Sequence, residues 1–196
     1  MKINEAIKIT DSFTRTAKMP GLSYSLPAWA CQTGSKLRKV KTSPCYGCYA
    51  LKGNYTRYPA IKAAQYRRLA AIDHPQWVEA MAAKIKNQKW FRWHDAGDVQ
   101  SHEHMQKILE VCRLTPDTKH WLPTQERQYL PDPEEVPANL VIRLSRSKID
   151  LEAAPKAWSH DSGVTTQEGK RTCPAPDQDG KCGDCRQCWN KDIRSV

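Results

Sequence analysis

The spacing of apolar residues predicts regular elements through the first three-quarters of the chain. Residues 21–29 (GLSYSLPAW) alternate apolar and polar positions, which predicts a β-strand. The alanine-rich segment 60–72 carries an apolar stripe and follows Pro59, a residue suited to the first position of a helix. A second helix is predicted from three apolar residues spaced at i, i+4 and i+8, namely Trp77, Met81 and Ile85.

The alternation of strands and helices continues downstream. Residues 90–94 (WFRWH), 120–125 (HWLPTQ) and 140–145 (LVIRLS) predict three more strands. Ser101 can cap a helix after the first of them. The apolar stripe of that helix consists of Met105, Ile108, Leu109 and Cys112, the last expected to be a buried, inert thiol. This order predicts βα units around a mostly parallel sheet, in which functional residues gather at the carboxyl ends of the strands.

Three segments lack this periodicity. Residues 1–18 are a polar lead-in of no predicted structure, and residues 32–44, rich in lysine, serine and threonine, are expected to form a solvated loop. After Leu151 the pattern fades, and residues 158–196 hold too few aliphatic side chains to fold by burial alone. A bound metal would supply the missing folding free energy. We therefore expect a single core at residues 1–157 and a cysteine-rich, metal-binding tail at 158–196.

The chain is strongly basic, with a formal net charge of +10 and a pI of about 9.3. No acidic residue lies between Asp11 and Asp73, and this interval contains six of the seven tyrosines. Because lysine and arginine bind phosphates and tyrosine stacks on exposed bases, the interval predicts contact with nucleic acid. The alternative is a solvated face whose charge offsets an anionic thiolate cluster. The predicted contacts are Lys36, Arg38, Lys39, Lys41, Tyr55 and Arg57.

The eight cysteines favour metal binding over disulfides. The first eighteen residues carry charges throughout, and no run approaches the ~20 apolar residues that span a bilayer, so we expect a soluble protein of the cytoplasm with no membrane partner. The cytoplasm keeps thiols reduced, and cysteines clustered at C-x-x-C spacing there are typical of metal sites.

Four cysteines lie in the tail, in the arrangement C-P-x7-C-x2-C-x2-C. They are Cys173, Cys182, Cys185 and Cys188. Two consecutive two-residue gaps favour a [4Fe-4S] cluster, as in ferredoxin runs. Zinc is the alternative, because four thiolates also satisfy a tetrahedral structural site.

A second cysteine set lies in the basic interval and leaves one ligand position unfilled. It comprises Cys31, Cys45 and Cys48. Three thiolates leave one corner of a tetrahedral or cubane site for water, substrate, a cofactor, or a carboxylate such as Asp95 or Asp98 from the next strand end. The alternatives are a zinc knuckle completed by His94, or simple core thiols.

The turn HDAGD ends the aromatic strand and carries the other candidate site residues. His94 and Asp95 are expected at the site. Asp98 precedes a helix and can cap it or interact favourably with its dipole. His102 and His104 are expected to be solvated histidines at the helix start.

Four separated segments, in this order, resemble the phage "gene product 88" domain family. They are residues 19–28 (MPGLSYSLPA), 45–53 (CYGCYALKG), 94–98 (HDAGD) and 173–189, which begins with C-P and ends in C-x2-C-x2-C-W. The resemblance implies a phage or prophage origin and a place in the host cytoplasm. It also implies an iron–sulfur protein whose core is similar to the partial (β/α) barrel of radical S-adenosylmethionine (SAM) enzymes.

The resemblance extends in part to the cofactor site of those enzymes. They hold a [4Fe-4S] cluster with C-x3-C-x2-C after the first strand, and a Gly-Gly-Glu-like turn after the second strand meets the amino group of SAM. Here the C-x2-C of Cys45 and Cys48 is kept, residues 96–98 (AGD) stand in for the turn, and thirteen residues separate Cys31 from Cys45. The cofactor contacts that the resemblance implies are His94, Asp95, Gly97 and Asp98.

These observations predict an α/β protein with a radical SAM-like partial barrel of mostly parallel strands and a cysteine-rich extension. The leading function is a phage [4Fe-4S] protein with a redox or structural role that contacts nucleic acid. The alternatives are a radical SAM-type enzyme that modifies a nucleotide or nucleic acid, and a zinc module whose basic face binds nucleic acid. One cluster or two stays open, because a tail cysteine such as Cys173 can complete the first.

Overall fold

The computed structural model describes residues 1–152 and 158–196, and within them one open sheet of six strands. The strands are β1 (Thr14–Arg15), β2 (Leu22–Tyr24), β3 (Trp90–Trp93), β4 (Lys119–Thr124), β5 (Leu140–Ser145) and β6 (Asp161–Ser162). Their spatial order follows the sequence, and every pairing is parallel except the antiparallel one between β1 and β2. The prediction of an α/β protein with a mostly parallel sheet is confirmed.

Six helices connect the strands in the described part of the chain. They are α1 (Ile3–Thr10), α2 (Gln32–Leu37), α3 (Asn54–Arg57), α4 (Pro59–Ala71), α5 (Trp77–Ile85) and α6 (His102–Arg113). Helix α4 begins at Pro59, as predicted, because its missing N–H is one that the first turn would leave unpaired. Helix α6 is capped by Ser101, whose hydroxyl accepts a hydrogen bond from the His104 N–H at 3.0 Å.

The core lies between the helices and one face of the sheet. Successive side chains of a strand point to opposite faces, so Phe91 and Trp93 of β3 enter the core while Arg92 faces the other side. Other core members are Tyr24, Met81, Ile85, Met105, Ile108, Leu109, Cys112, Leu122 and Ile142. The predicted stripes of α5 and α6 are therefore buried, and the thiol of Cys112 is a core group.

Two of the segments without periodicity are ordered. Residues 1–18 contain α1, which packs on α5, and β1. The solvated loop predicted at 32–44 is wrong for its first half, because α2 begins at Gln32. That helix is held by Glu126, which accepts hydrogen bonds from the Thr33 N–H and hydroxyl at 2.8 and 2.6 Å.

The expectation of two solvated histidines is wrong for one of them. His102 is exposed, but the side chain of His104 is fully buried. Its Nδ1 accepts a hydrogen bond from the Gln100 N–H at 3.2 Å, and its ring lies edge-on to Trp77 with centroids 5.5 Å apart. His104 lies in the first turn of the amphipathic helix α6, on the side that faces the core.

The tail packs on the face of the sheet opposite the core. Trp189 donates a hydrogen bond to the Phe91 carbonyl at 3.0 Å, and its ring meets those of Trp90 and Trp121 at centroid distances of 5.6 and 5.1 Å. Arg143, on β5, is fully buried and donates to six backbone carbonyls at 2.9 to 3.3 Å. These belong to Asp161, Gln187, Cys188, Asn190, Ile193 and Arg194. The predicted end of the core at residue 157 lies outside the described residues.

Replacing Arg143 by methionine should release the tail from the sheet. The substitution removes six hydrogen bonds between a buried guanidinium and the tail, so we expect the free energy of unfolding to fall by about 3 kcal/mol or more. Urea unfolding measures this loss, and hydrogen exchange should show faster exchange of backbone amides at 185–194. The exposed Arg113, which pairs with Glu110, supplies the control Arg113→Met. Unchanged tail protection in Arg143→Met would contradict the assignment.

Buried histidines should make the fold sensitive to acid. His120 lies in the core against Phe91 and Trp93, and burial lowers its pKa to about 3. The folded state keeps it neutral while the unfolded chain takes up a proton near pH 6.5, so stability is complete above that pH and is lost as pH falls toward 3.

The variant His120→Phe should therefore flatten the pH dependence of stability between pH 6.5 and 4. One proton is worth at most about 1.4 kcal/mol per pH unit of slope. The variant also loses the hydrogen bond between His120 and the Thr115 hydroxyl, so the slope rather than the absolute stability is the measurement. The control His102→Phe leaves the buried histidines in place and should retain the wild-type slope. Equal slopes in all three proteins would refute the argument.

Candidate functional site

A cavity of about 240 Å³ lies at the carboxyl ends of the parallel strands. The segments after β2, β3, β4 and β5 all contribute to its wall, as expected for a parallel sheet. The lining includes Cys31, Cys45, Cys48, Arg92, His94, Asp95, Gly97, Asp98, Thr124, Gln125 and Arg146. All three cysteines of the amino-terminal set and all four residues of the predicted cofactor contact therefore border one space.

The cysteine loop leaves room between its thiols. A Cβ atom added at Gly34 would lie 3.8 Å from Sγ of Cys31 and 3.9 Å from Sγ of Cys45, so the glycine keeps the space beside these two atoms free of a side chain. Cys48 packs beside a small cluster of alanines that includes Ala28. Three soft donors around an open space are chemically suited to iron or zinc. Within residues 1–152 and 158–196, no three His, Cys, Asp or Glu side chains form a group that could hold a single metal ion.

Burial keeps the thiols of Cys31 and Cys45 protonated in the absence of a cation. It raises the pKa of Cys31 strongly, and the nearby carboxyl of Asp98 raises it further. Burial likewise raises the pKa of Cys45. A bound metal reverses this effect because it coordinates the thiolate and displaces the proton. Metal binding at this set is therefore expected to release protons.

The carboxylate of Asp95 is held by hydroxyl donors from two neighbouring segments. Its Oδ1 accepts from the Ser23 hydroxyl, and its Oδ2 accepts from the Tyr55 hydroxyl at 2.7 Å. The backbone carbonyl of Asp95 accepts a further hydrogen bond from the Tyr49 hydroxyl. Asp95 thus joins β2, the turn after β3 and the segment that follows the cysteines.

Asp98 connects the ends of β3 and β4. Its Oδ1 accepts from the Val99 N–H at 2.8 Å and the Thr124 hydroxyl at 2.6 Å, and its Oδ2 accepts from the Gln125 N–H at 2.9 Å. Burial raises its pKa to about 7 against the opposing effect of these donors. The cap of α6 is Ser101, so capping is not the role of Asp98.

The turn HDAGD lies tightly against the chain that follows β2. Gly97 has a φ of +82°, and a Cβ atom added to it would lie 2.5 Å from Cβ of Leu26. His94 also has a positive φ, and its Nδ1 donates to the Tyr24 carbonyl at 3.1 Å. Burial lowers the pKa of His94 to about 4, so the ring is neutral. Its Nε2 is buried with no hydrogen-bond partner among the described residues.

The tail cysteines form a second neighbourhood. Burial raises the pKa of Cys182, and the thiols of Cys173 and Cys185 raise it further. Burial raises the pKa of Cys188 to about 12. In the described part of the chain, the cavity of the first set has no tail cysteine in its wall; Cys173 instead lines a separate cavity of about 620 Å³.

The predicted nucleic-acid contacts lie on the surface beside the cysteine loop, with one exception. Tyr55 is half-buried, and its ring packs against Tyr49 with centroids 5.8 Å apart while its hydroxyl bonds to Asp95. The exposed members are Lys36, Lys39, Lys41 and Arg57, and Arg38 is half-buried. Tyr55 therefore belongs to the structure of the site, where its hydroxyl holds the carboxylate of Asp95.

Sequence reasoning missed several residues that build the site. Ser23 and Arg92 face each other across β2 and β3, a pairing set by strand register, which spacing along the chain does not reveal. Thr124 and Gln125 did carry a signal, because polar residues at the end of a predicted parallel strand mark the functional edge.

Among the described residues, none of the helices has the length and apolar character of a membrane span.

Comparison with known proteins places the chain in a family. No curated protein and no solved structure matches the chain. The model of the family described as Gene product 88 matches residues 2–191, a span that includes both cysteine sets and the HDAGD turn, and a gene-product family fits the expected phage origin. The chain belongs to the gene product 88 family.

Proposed function

We propose that this protein carries a [4Fe-4S] cluster on Cys31, Cys45 and Cys48, with a redox or structural role. The observation that carries the proposal is the convergence of these three thiols on one cavity at the carboxyl end of the sheet. Gly34 leaves space beside two of the thiols. A bound cluster would supply one-electron transfer or a rigid cross-link of the loop.

The topology supports a partial (β/α) barrel similar to that of radical SAM enzymes. The strand order follows the sequence throughout, whereas a doubly wound sheet reverses direction at a switch point. The cysteine loop follows β2, the first strand of the parallel part, and the HDAGD turn follows β3, the second. These are the relative positions that the resemblance to those enzymes predicts.

Arg92 is the residue that we propose to offset thiolate charge. Its guanidinium carbon lies 4.5 Å from the ring centroid of Trp121, and it forms no ion pair with a carboxylate in the described residues. It lines the first cavity, and its charge partly opposes the burial that raises the pKa of Cys182 and Cys188 in the tail. An arginine cannot shed its proton inside a protein, so a neighbouring thiolate is a suitable counter-charge.

We extend the proposal to the tail, where the four cysteines would bind a second metal group. The thiols of Cys173 and Cys185 act electrostatically on Cys182, and Cys188 is fixed by the hydrogen bond from Arg143 to its carbonyl at 3.0 Å. A second [4Fe-4S] cluster or a zinc ion satisfies four thiolates. The basic interval before Asp73 further supports nucleic acid as the partner.

Metal analysis of anaerobically purified protein tests the cluster. We expect iron and sulfide in equal amounts, about four of each per cluster. Cys45→Ala should lose the complement of the first site, because two thiols no longer hold the cluster. The matched control is Cys112→Ala, which removes a core thiol away from the cavity and should retain the metal. Zinc without iron or sulfide, or a full complement in Cys45→Ala, would defeat the proposal.

A radical SAM-type enzyme that modifies a nucleotide or nucleic acid is the second candidate. Three residues that line the cavity have buried polar atoms without partners in the described structure: Nε of Arg92, Nε2 of His94 and Oε1 of Gln125. Such atoms call for a polar ligand. The cavity of about 240 Å³ is smaller than the ~300–1,000 Å³ typical of ligand pockets, which favours the first candidate.

Titration with SAM separates the two candidates. For the enzyme, adding SAM to the reduced, iron-loaded protein should change the electron paramagnetic resonance spectrum and yield 5′-deoxyadenosine. Gln125→Leu removes one of the unpartnered atoms and should weaken the response while the iron content is kept. A spectrum that SAM leaves unchanged, with no 5′-deoxyadenosine formed, eliminates this candidate.

A further inference from the structure

Exposed aromatic side chains surround the cysteine loop. Trp29, Tyr46 and Tyr49 have 48%, 54% and 57% of their surface exposed to solvent. Large aromatic side chains carry a substantial hydrophobic area, so three of them left half-exposed in one region indicate an interaction surface.

The three rings belong to two turns in contact with each other and to the C-x2-C segment next to the second turn. Trp29 lies in the turn Ala28–Ala30, directly before Cys31, and Tyr49 begins the turn Tyr49–Leu51. The two turns contact each other through a small apolar cluster. Tyr46 lies between the two cysteines of the C-x2-C segment. We call these three side chains the aromatic rim; Tyr49 lines the cavity of the thiols, and Trp29 and Tyr46 lie within two residues of Cys31 and Cys45 in the chain.

The ring of Tyr49 is held in place by contacts with residues of the site. The hydroxyl of Tyr49 donates to the Asp95 carbonyl, and its ring packs against Tyr55. Such contacts leave one part of the ring bonded to the site and another open to solvent. A ring fixed in this way loses little side-chain entropy when a partner stacks on it.

The rim lies in a positive field. The guanidinium carbon of Arg38 lies 5.7 Å from the ring centroid of Trp29, and Lys39 and Lys41 are exposed nearby in the sequence. The acidic group beneath α2 is Glu126, whose carboxylate is buried and occupied by Thr33. The outer surface of the loop is thus cationic and aromatic.

We propose that the aromatic rim is a stacking platform for a single-stranded polynucleotide, with Trp29 as its anchor and Arg38, Lys39 and Lys41 on the phosphates. This inference names the partner of the site described under the proposed function and rests on that proposal only for its location. Unpaired bases expose faces that stack on aromatic rings, whereas bases in a duplex do not. The contacts are to base faces and phosphates, so DNA and RNA strands of equal length should bind alike.

Fluorescence anisotropy of a labelled oligothymidylate and an oligouridylate tests the platform on the anaerobically purified protein. Trp29→Ala should weaken binding of both about tenfold, since stacking on one ring is worth roughly 1–3 kcal/mol. Trp29→Phe should retain most of the affinity because it keeps an aromatic face. The control Tyr66→Ala removes an exposed tyrosine on α4, outside the rim, and should bind like the wild type.

Salt dependence tests the phosphate contacts. Lys41→Gln should reduce the slope of log affinity against log salt by about 0.7, the value for one contact to a single strand. Lys8→Gln, an exposed lysine on α1, should leave the slope unchanged.

Several results would overturn the platform: equal affinity for duplex and single strand, full affinity in Trp29→Ala, or stronger binding to phosphatidylserine vesicles than to either oligonucleotide. The iron and sulfide content of the same preparation separates this inference from the cluster. Binding that depends on Trp29 in a protein without iron upholds the platform and refutes the cluster, and an iron-loaded protein that binds no oligonucleotide does the reverse.

Discussion

The parallel pairing of β2 with β3 continues past the ends of both strands, and the site depends on that continuation. The His94 N–H donates to the Tyr24 carbonyl at 3.2 Å, and the Leu26 N–H donates to the Ala96 carbonyl at 2.8 Å. Gly97 completes the contact because any larger residue would collide with Leu26. The first strand of the parallel part therefore delivers the cysteine loop to a fixed place beside the HDAGD turn. Without this pairing, the thiols and carboxylates would not share a cavity.

The face of the sheet opposite the core carries charge that has to be balanced inside the fold. The guanidinium of Arg143 donates hydrogen bonds to six backbone carbonyls of the tail. The tail therefore shields this charge from solvent and replaces the hydrogen bonds that water would make with it. Arg92 lies two strands away; its contacts include an aromatic ring and a methionine sulfur, and its Nε is buried with no hydrogen-bond partner among the described residues. The positive charge at β5 is thus stabilised by hydrogen bonds within the fold. The positive charge at β3 has no carboxylate counter-charge among the described residues, and the thiols of both sets are near it.

The sequence was informative wherever burial is one-sided and periodic. Strands β3, β4 and β5 and helices α5 and α6 follow from such patterns, whereas α4 buries Gln65 and Arg68 instead of the expected apolar stripe. The cysteine spacings with the strand ends located the cavity. Helix α2 could not be predicted in this way, since it is short and polar and depends on Glu126, 93 residues away in the chain. The role of Arg143 was equally hidden, because an arginine within a run of aliphatics gives no sign of which distant carbonyls it will meet.

Tyr49 joins the outer surface of the cysteine loop to its interior. It directly follows Cys48, its ring belongs to the aromatic rim, and its hydroxyl bonds to the backbone of Asp95, whose carboxylate is held by Ser23 of β2. A base stacked on this ring would therefore act on a group bonded to the turn that lines the cavity. Under the two proposals, partner binding at the rim would be coupled through this one side chain to the environment of the thiols, and the surface and the proposed cluster site would form a single unit.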